Sequence, residues 1–397
     1  MAVRGSVGAA ASAKSEHDRD SILVVSPWGL RGGYSGPVTL MNRLFEALGD
    51  EGRYRLDVLY RDRGAEAKPR WTTNLLPVLS TQPGRFSRFD QLRWILRTRR
   101  SLKTIAHRYR YVHLQGAYIT NILAVPRRVR RKLIVLPVLE NGDLPRSSGR
   151  SRLKHGLYRR VLGEAFLGLA LSAGIEESLV ALGLPRQRVL RVNNPSGTAH
   201  VSEDGSKLSP DEFTIGFVGK IGPHKNPHLV LEALARLGDA GISARVLLVG
   251  PFANEHFERE FRALGERLGV SSQITMTGFV DDVQPYLEQM DVFLLPSRHE
   301  GMPGALAEAM AFGIPAVVTD VGDMATHVRA AHAGAVVEAN STSIVEALQR
   351  LTDPLLRRDL GKRARSYASA NFLPAAVARS VQAKIDELEG VGPHEGT

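Results

Sequence analysis

The chain has 397 residues, too many for one ordinary hydrophobic core, so two domains are expected. Its 43% hydrophobic content is globular, no apolar run approaches a membrane span, and the lack of cysteine excludes disulfide frameworks and thiolate metal sites and suits a reducing cytoplasm. The net charge of +11 is uneven: residues 1–200 carry 34 Lys+Arg against 15 Asp+Glu, and residues 201–397 carry 18 against 26, so a basic half suited to an anionic membrane, nucleic acid or anionic substrate precedes an acidic one.

Residues 1–20 lack the compact apolar core of a signal peptide and read as a disordered tail. "ILVVSP" (22–27) is a buried strand by its continuous apolar character, and "WGLRGGYSG" is a glycine-rich loop before the helix pattern "PVTLMNRLFEALGD". "YRLDVLYR", "YRYVHLQG", "KLIVLPVLEN" and "FLGLALSA" are further strands, with helices near 86–108, 151–166 and 174–182. The polar, aperiodic segment 197–212 reads as a linker. Beyond it "FTIGFVGK", "ARVLLVGP", "QITMTGFV", "DVFLLPS", "PAVVTDVG" and "GAVVEA" alternate with helix-length segments, and 366–389 reads as a helix that packs on a domain surface. Such alternation implies parallel sheets flanked by helices. The expectation is α/β: a Rossmann-like domain at 21–196, a second at 213–371 facing it across a cleft, a C-terminal helix at 372–390 that crosses back to the first domain, and a tail at 391–397.

The stretch "GFVGKIGPHKNPHLVLEAL" (216–234) ends a strand at Gly219, starts a helix near Pro227, and sets Lys220 and Lys225 in the loop between, where two ammonium groups suit a diphosphate. Loop lysines are also commonly just solvated. The Gly-Lys-Ser/Thr ending of a nucleoside triphosphatase loop is absent. In "SRHEGMPGALAEAMAFGIPAVVTDVG" (297–322) a strand empties into Glu300, the turn Gly301-Met302-Pro303-Gly304 follows, and a small-residue helix carries Glu308. The N–H groups of Gly304, Ala305 and Leu306 are expected as free donors for phosphate or sugar oxygens. Taken singly, Glu300 also reads as a charge at a positive helix end and Glu308 as an exposed helix residue.

The second half resembles the retaining glycosyltransferases of the GT-B fold, in glycosyltransferase family four (glycosyl transferases group 1). The family's Gly-Arg/Lys, then Lys, then Glu-Gly and a second Glu eight residues on is met by Gly219-Lys220, Lys225, Glu300-Gly301 and Glu308. The likeness is strong over about 213–325 and weaker over the first half. It implies a nucleoside diphosphate sugar donor held mainly by the second domain. Lys220 and Lys225 would neutralise the diphosphate, Glu308 would take the ribose hydroxyls and Glu300 the sugar hydroxyls. The backbone from Gly301 through Met302, Pro303, Gly304 and Ala305 to Leu306 would cradle sugar and phosphate, and the base would lie near Gly278, Phe279 and Val280. Gly32 and Gly33 match the family's glycine loop. His113 is present where the family usually reads His-x-His, but Gln115 stands in the second position, so that side chain can donate a hydrogen bond but cannot titrate. Glu140 and Asn141 are further candidate contacts on the acceptor side.

No Asp-x-Asp metal pair sits at a strand end; Asp281-Asp282 read as a helix start. No metal or other cofactor is expected if the lysines and the helix end do a cation's work. The stretch 85–111 interleaves arginines with Phe86, Phe89, Leu92, Trp94, Ile95 and Leu96, and remains open between a peripheral contact with the inner face of a membrane and a solvated helix over a core; no nucleic-acid motif accompanies it. The combined expectation is transfer of a sugar, with retention, to a lipid-linked or surface-glycan acceptor in polysaccharide or glycolipid synthesis. Another nucleotide-sugar enzyme of the same fold, or a non-catalytic sugar-nucleotide-binding protein, are the alternatives.

Overall fold

A computed structural model describes residues 21–28, 30, 36–50, 53–62, 64, 68–81, 87–138, 144–145, 152–196, 213–300 and 302–390. The chain divides into two units. The first runs to Val192 and takes up the chain again from Val377; the second is the continuous stretch Asn193–Ala376. The expected linker at 197–212 and both expected tails lie outside the described residues.

The first unit is built on strands β1 (Ser21–Ser26), β2 (Arg55–Asp62), β3 (Asn74–Ser80), β4 (Tyr111–Gln115), β5 (Leu133–Leu136), β6 (Leu167–Ala170) and β7 (Val189–Arg191). They pair in the order β3-β2-β1-β4-β5-β6-β7, and all pairs are parallel. β1, β4, β5 and β6 are buried along their whole length, as strands covered on both faces must be, which is why they read as unbroken apolar runs. Helices α1 (Gly36–Asp50), α2 (Arg88–Ile105), α3 (Ile119–Ala124), α4 (Arg152–Leu162) and α5 (Ala173–Ala181) connect them. α2 opens on a capping box in which Ser87 and Asp90 satisfy each other's backbone N–H.

The second unit repeats the plan with β8 (Phe213–Val218), β9 (Ala244–Val249), β10 (Ile274–Met276), β11 (Val292–Leu295), β12 (Ala316–Thr319) and β13 (Gly334–Val337), paired in parallel in the order β10-β9-β8-β11-β12-β13. Its helices are α6 (His228–Asp239), α7 (Glu255–Arg267), α8 (Gln284–Leu287), α9 (Gly304–Ala311), α10 (Met324–Ala331), α11 (Ser341–Arg350) and α12 (Pro354–Asn371). In both sheets the chain winds outward one way and then the other. The order therefore reverses between β1 and β4, and between β8 and β11, and ligands of such sheets gather at the strand C-termini beside that reversal.

The run 366–389, which reads as one helix, is two. α12 ends at Asn371, Phe372 is buried, and α13 (Pro374–Glu389) starts with a proline, which can open a helix but not continue one. Val377, Ala378, Val381 and Ile385 of α13 enter the core around α1 and β1. Arg53 pairs in two-pronged fashion with Asp386, at 2.6 and 3.0 Å, and Arg110 pairs with Glu389. Among the described residues no helix is long and apolar enough to cross a membrane.

Candidate functional site

The C-terminal ends of β8, β9 and β10 meet through backbone. Gly219, Gly250 and Gly278, one after each strand, have φ of 126°, 134° and 67°. Gly219 N–H donates to the Val249 carbonyl at 2.8 Å, and Gly250 bridges Gly278. A Cβ on Gly250 would lie 2.3 Å from the Gly219 carbonyl oxygen, so only glycine allows this approach. Val280 packs on the core from the loop after β10, while Phe279 is 38% exposed. Asp282 caps the turn into α8 by accepting from Gln284 N–H, a structural use of that carboxylate.

From Gly219 the chain exposes Lys220, buries Ile221, and makes a 3-10 turn over Pro223–Lys225. Asn226 then takes the left-handed conformation and α6 begins. The turn directs Lys225 inward, against the face that Gly219 leaves open: a Cβ there would lie 3.3 Å from Lys225 Cε. Lys225 Nζ donates to Glu300 Oε1 at 2.6 Å, with only 10% and 15% of the two side chains exposed. Ser297 Oγ donates to the same oxygen at 3.2 Å, and Thr319, the last residue of β12, fixes Ser297 by donating to its carbonyl at 2.6 Å. Arg298 N–H donates to the His224 carbonyl at 2.8 Å. The loops after β8 and β11, on the two sides of the reversal, are thus sewn together twice. His224 sits among these charges. Burial, then the Lys225 cation, holds it below the ordinary imidazole range against the opposing pull of Glu300, with Lys220 and His299 adding to the depression.

Past residue 301 the side chain of Met302 is buried, and Pro303 leads into α9. The three free donors expected there are not all free: Leu306 N–H donates to the Pro303 carbonyl at 3.1 Å because the first turn tightens. The N–H groups of Gly304 and Ala305 precede the helix's own ladder. Gly304 lies under Asn194, whose side-chain nitrogen is 3.4 Å from the position of a Cβ and 3.4 Å from the Met302 carbonyl oxygen. Glu308, half-buried, is on the second turn of α9. Lys225 and Glu300 are therefore in contact, while Lys220 joins them through its charge on His224. Sequence reasoning missed Ser297, Thr319, Asn194 and Gly250. These residues act by single hydrogen bonds or by close approach, which no local pattern announces.

In the first unit His113 and Gln115 lie two apart on β4 and share a face. Both are buried, and the His113 ring Nε2–H donates to Gln115 Oε1 at 3.0 Å. Phe45 meets the imidazole edge-on at 4.9 Å, and burial pushes its pKa down to about 4, so it is neutral at pH 7. His113 is thus a core residue. Gln115 ends β4 next to the strand reversal. Gly32, Gly33, Glu140, Asn141 and Gly301 lie outside the described residues. Among the described residues no cluster of His, Asp and Glu could hold a metal ion.

The putative colanic acid biosynthesis glycosyltransferase WcaL of Escherichia coli is 29% identical over 248 residues, 58% of this chain and 59% of that protein. The GDP-mannose-dependent alpha-(1-6)-phosphatidylinositol dimannoside mannosyltransferase of Mycobacterium tuberculosis is 28% identical over 215 residues, 52% of this chain and 51% of that one. The chain thus spans about half to three fifths of these relatives' length. Among solved structures, sucrose-phosphate synthase of Thermosynechococcus elongatus superposes with a TM-score of 0.72 at 18% identity, over 94% of this chain and all of that one. HepE of Anabaena, solved with UDP and glucose, gives 0.68 at 16%, over 93% of this chain and all of that one. These two likenesses carry the fold. A family model for a glycosyl transferase 4-like domain matches residues 35–195 and one for glycosyl transferases group 1 matches residues 202–367, and with both halves matched in succession the chain belongs to the group 1 glycosyltransferases.

Proposed function

We propose that the protein moves a sugar from a nucleoside diphosphate sugar, with retention and without a metal ion, to a lipid-linked or surface-glycan acceptor. The observation that carries this reading is the shielded Lys225–Glu300 pair at the strand reversal of the second sheet, beside glycine-lined strand ends and the start of α9. The M. tuberculosis relative's name specifies a GDP-mannose donor and HepE was solved with UDP and glucose, which favours a sugar nucleotide. WcaL of E. coli and CapM of Staphylococcus aureus are named for polysaccharide synthesis, which favours a glycan acceptor.

On this reading Lys225 and Lys220 offset the charge that grows on the leaving diphosphate. Glu300 accepts hydrogen bonds from sugar hydroxyls, and Ser297 and Thr319 keep it in place. The N–H groups of Gly304 and Ala305 meet phosphate or sugar oxygens, and Glu308 accepts from the ribose. The bond from the anomeric carbon to the phosphate oxygen breaks as the acceptor oxygen attacks on the same face. The departing phosphate oxygen takes the acceptor proton, so no carboxylate has to act as nucleophile. The neutral His113, held by Gln115, is not available as an acid.

Thermal unfolding of the full chain with UDP-, GDP- and ADP-sugars should show stabilisation by one nucleotide class, and release of the matching diphosphate should persist in excess EDTA. No stabilisation by any donor would overturn the donor assignment, and activity lost in EDTA and restored by magnesium or manganese would overturn metal independence. Stabilisation without diphosphate release would leave a sugar-nucleotide-binding protein, a reading that the buried His113–Gln115 pair favours. Glu308→Ala should weaken donor binding by about 1–3 kcal/mol, the cost of a lost hydrogen bond to a charged acceptor. Calorimetric titration checks this, and an unchanged Kd would remove Glu308 from the ribose.

A further inference from the structure

The arginine-rich stretch of the first unit sorts into two helix faces. Trp94, Thr98 and Leu102 of α2 point inward, and Trp94 donates from its indole to Asn121 Oδ1 at 3.0 Å. The tryptophan is thus a core residue and no surface anchor; Phe86 lies outside the described residues. The opposite face of α2 is also apolar. Phe89, Leu92 and Leu96 follow at spacings of three and four, and are 66%, 53% and 59% exposed. At 100° per residue, Arg93 and Arg100 flank this stripe on one side, Arg88 and Arg99 on the other, and Lys103 continues its line. Arg93 lies over the Phe89 ring at 5.0 Å.

The stripe does not stop at α2. Arg99 donates to the carbonyls of Leu123 and Val125 at 3.1 and 3.2 Å, which brings α3 to the flank of α2, and Leu123 is exposed. α4 packs on α3 and opens with Arg152, Leu153 and Lys154, with Leu153 89% exposed. Five of the seven large apolar side chains exposed among the described residues are on these three helices. Their sole acid, Asp90, is taken up by the capping box with Ser87.

We infer that the outer face of α2, extended by α3 and α4, docks the protein on an anionic lipid surface. An apolar stripe of this kind flanked on both sides by arginines fits the boundary between acyl chains and headgroups: the apolar tips enter, and the long cationic side chains reach back to phosphates. A folded protein partner would call for a polar rim of both signs and for tyrosine or tryptophan anchors, which the described residues of this face do not present. The inference goes beyond the transfer reaction and does not rest on it.

Sedimentation of the full chain with phosphatidylcholine vesicles, with and without phosphatidylglycerol, tests it. At low salt the protein should pellet with the phosphatidylglycerol vesicles and partition at least about tenfold less onto phosphatidylcholine alone. Arg93→Glu with Arg100→Glu should cut partition to the anionic vesicles by about a hundredfold. Phe89→Ser, Leu92→Ser and Leu96→Ser together should cut it by about tenfold or more and remove the part that survives high salt. Arg97 and Arg99 are left in place because they hold the carbonyls of Val78, Leu123 and Val125. Equal binding to both vesicle types, binding to neither, or unaltered binding by both variants would overturn the inference. A dimer in sedimentation velocity that the triple serine variant dissolves, with no vesicle binding by the wild type, would assign the face to a second copy instead. Thermal unfolding of each variant reports its fold, and the arginine pair stands as a test should the serine variant not fold.

Discussion

Lys225→Ala is expected to lower transfer by at least about a hundredfold, the loss typical of removing one group that stabilises a developing negative charge in a shielded site. The effect should be larger than for Lys220→Ala, because Lys220 is exposed and Lys225 is buried against Glu300 and Gly219. The alanine variant also leaves the Glu300 carboxylate without its cation, which in a poorly solvated place costs about 3 kcal/mol or more of stability. Stability and chemistry can be separated. Lys225→Met with Glu300→Gln removes both charges and should recover most of the stability while transfer stays lost. Transfer rates with saturating donor, set beside thermal unfolding of each variant, give the comparison. Recovery of transfer in the double variant would show that the pair is structural only.

The second large effect is on stability. Gly250→Ala puts a methyl group 2.3 Å from the Gly219 carbonyl oxygen, at a residue whose φ of 134° an L side chain rarely adopts. The neighbour is backbone, and it belongs to the loop that aims Lys225, so neither can give way without moving the other. Strain and clash together should cost about 3 kcal/mol or more. For a unit of this size that is a fall of about 6–12 °C in the melting temperature of the second unit. Calorimetry would detect it, and a fall below about 2 °C would mean that the strand ends are not in contact. Gly278→Ala makes a useful contrast, since its positive φ costs something but a Cβ there meets nothing within 4 Å.

The strands the sequence showed plainly are those buried on both faces, such as β1, β8 and β11, whose apolar runs admit no other reading. β3 and β7 escaped. β3 is an edge strand with Pro77 in it and only Val78 and Leu79 buried, and proline is tolerated only where no neighbour needs its N–H. β7 is three residues long. The Lys225–Glu300 contact was legible only as a motif, since residues 75 apart meet through the order of the sheet and not through any local period. Whether Trp94 faces a membrane or a core stays open in the sequence, because its partner Asn121 is 27 residues away.

The route of the chain through the two units constrains how it can be made. The second unit is continuous, whereas the core of the first lacks Val377, Val381 and Ile385 until the end of the chain arrives. During synthesis the N-terminal sheet emerges first but cannot close its core, while the later-made unit already has all of its residues. A released chain truncated after residue 376 should therefore present a protease with a folded second unit and an unfinished first one. The ion pairs Arg53–Asp386 and Arg110–Glu389 act as the latch that ends this order of events.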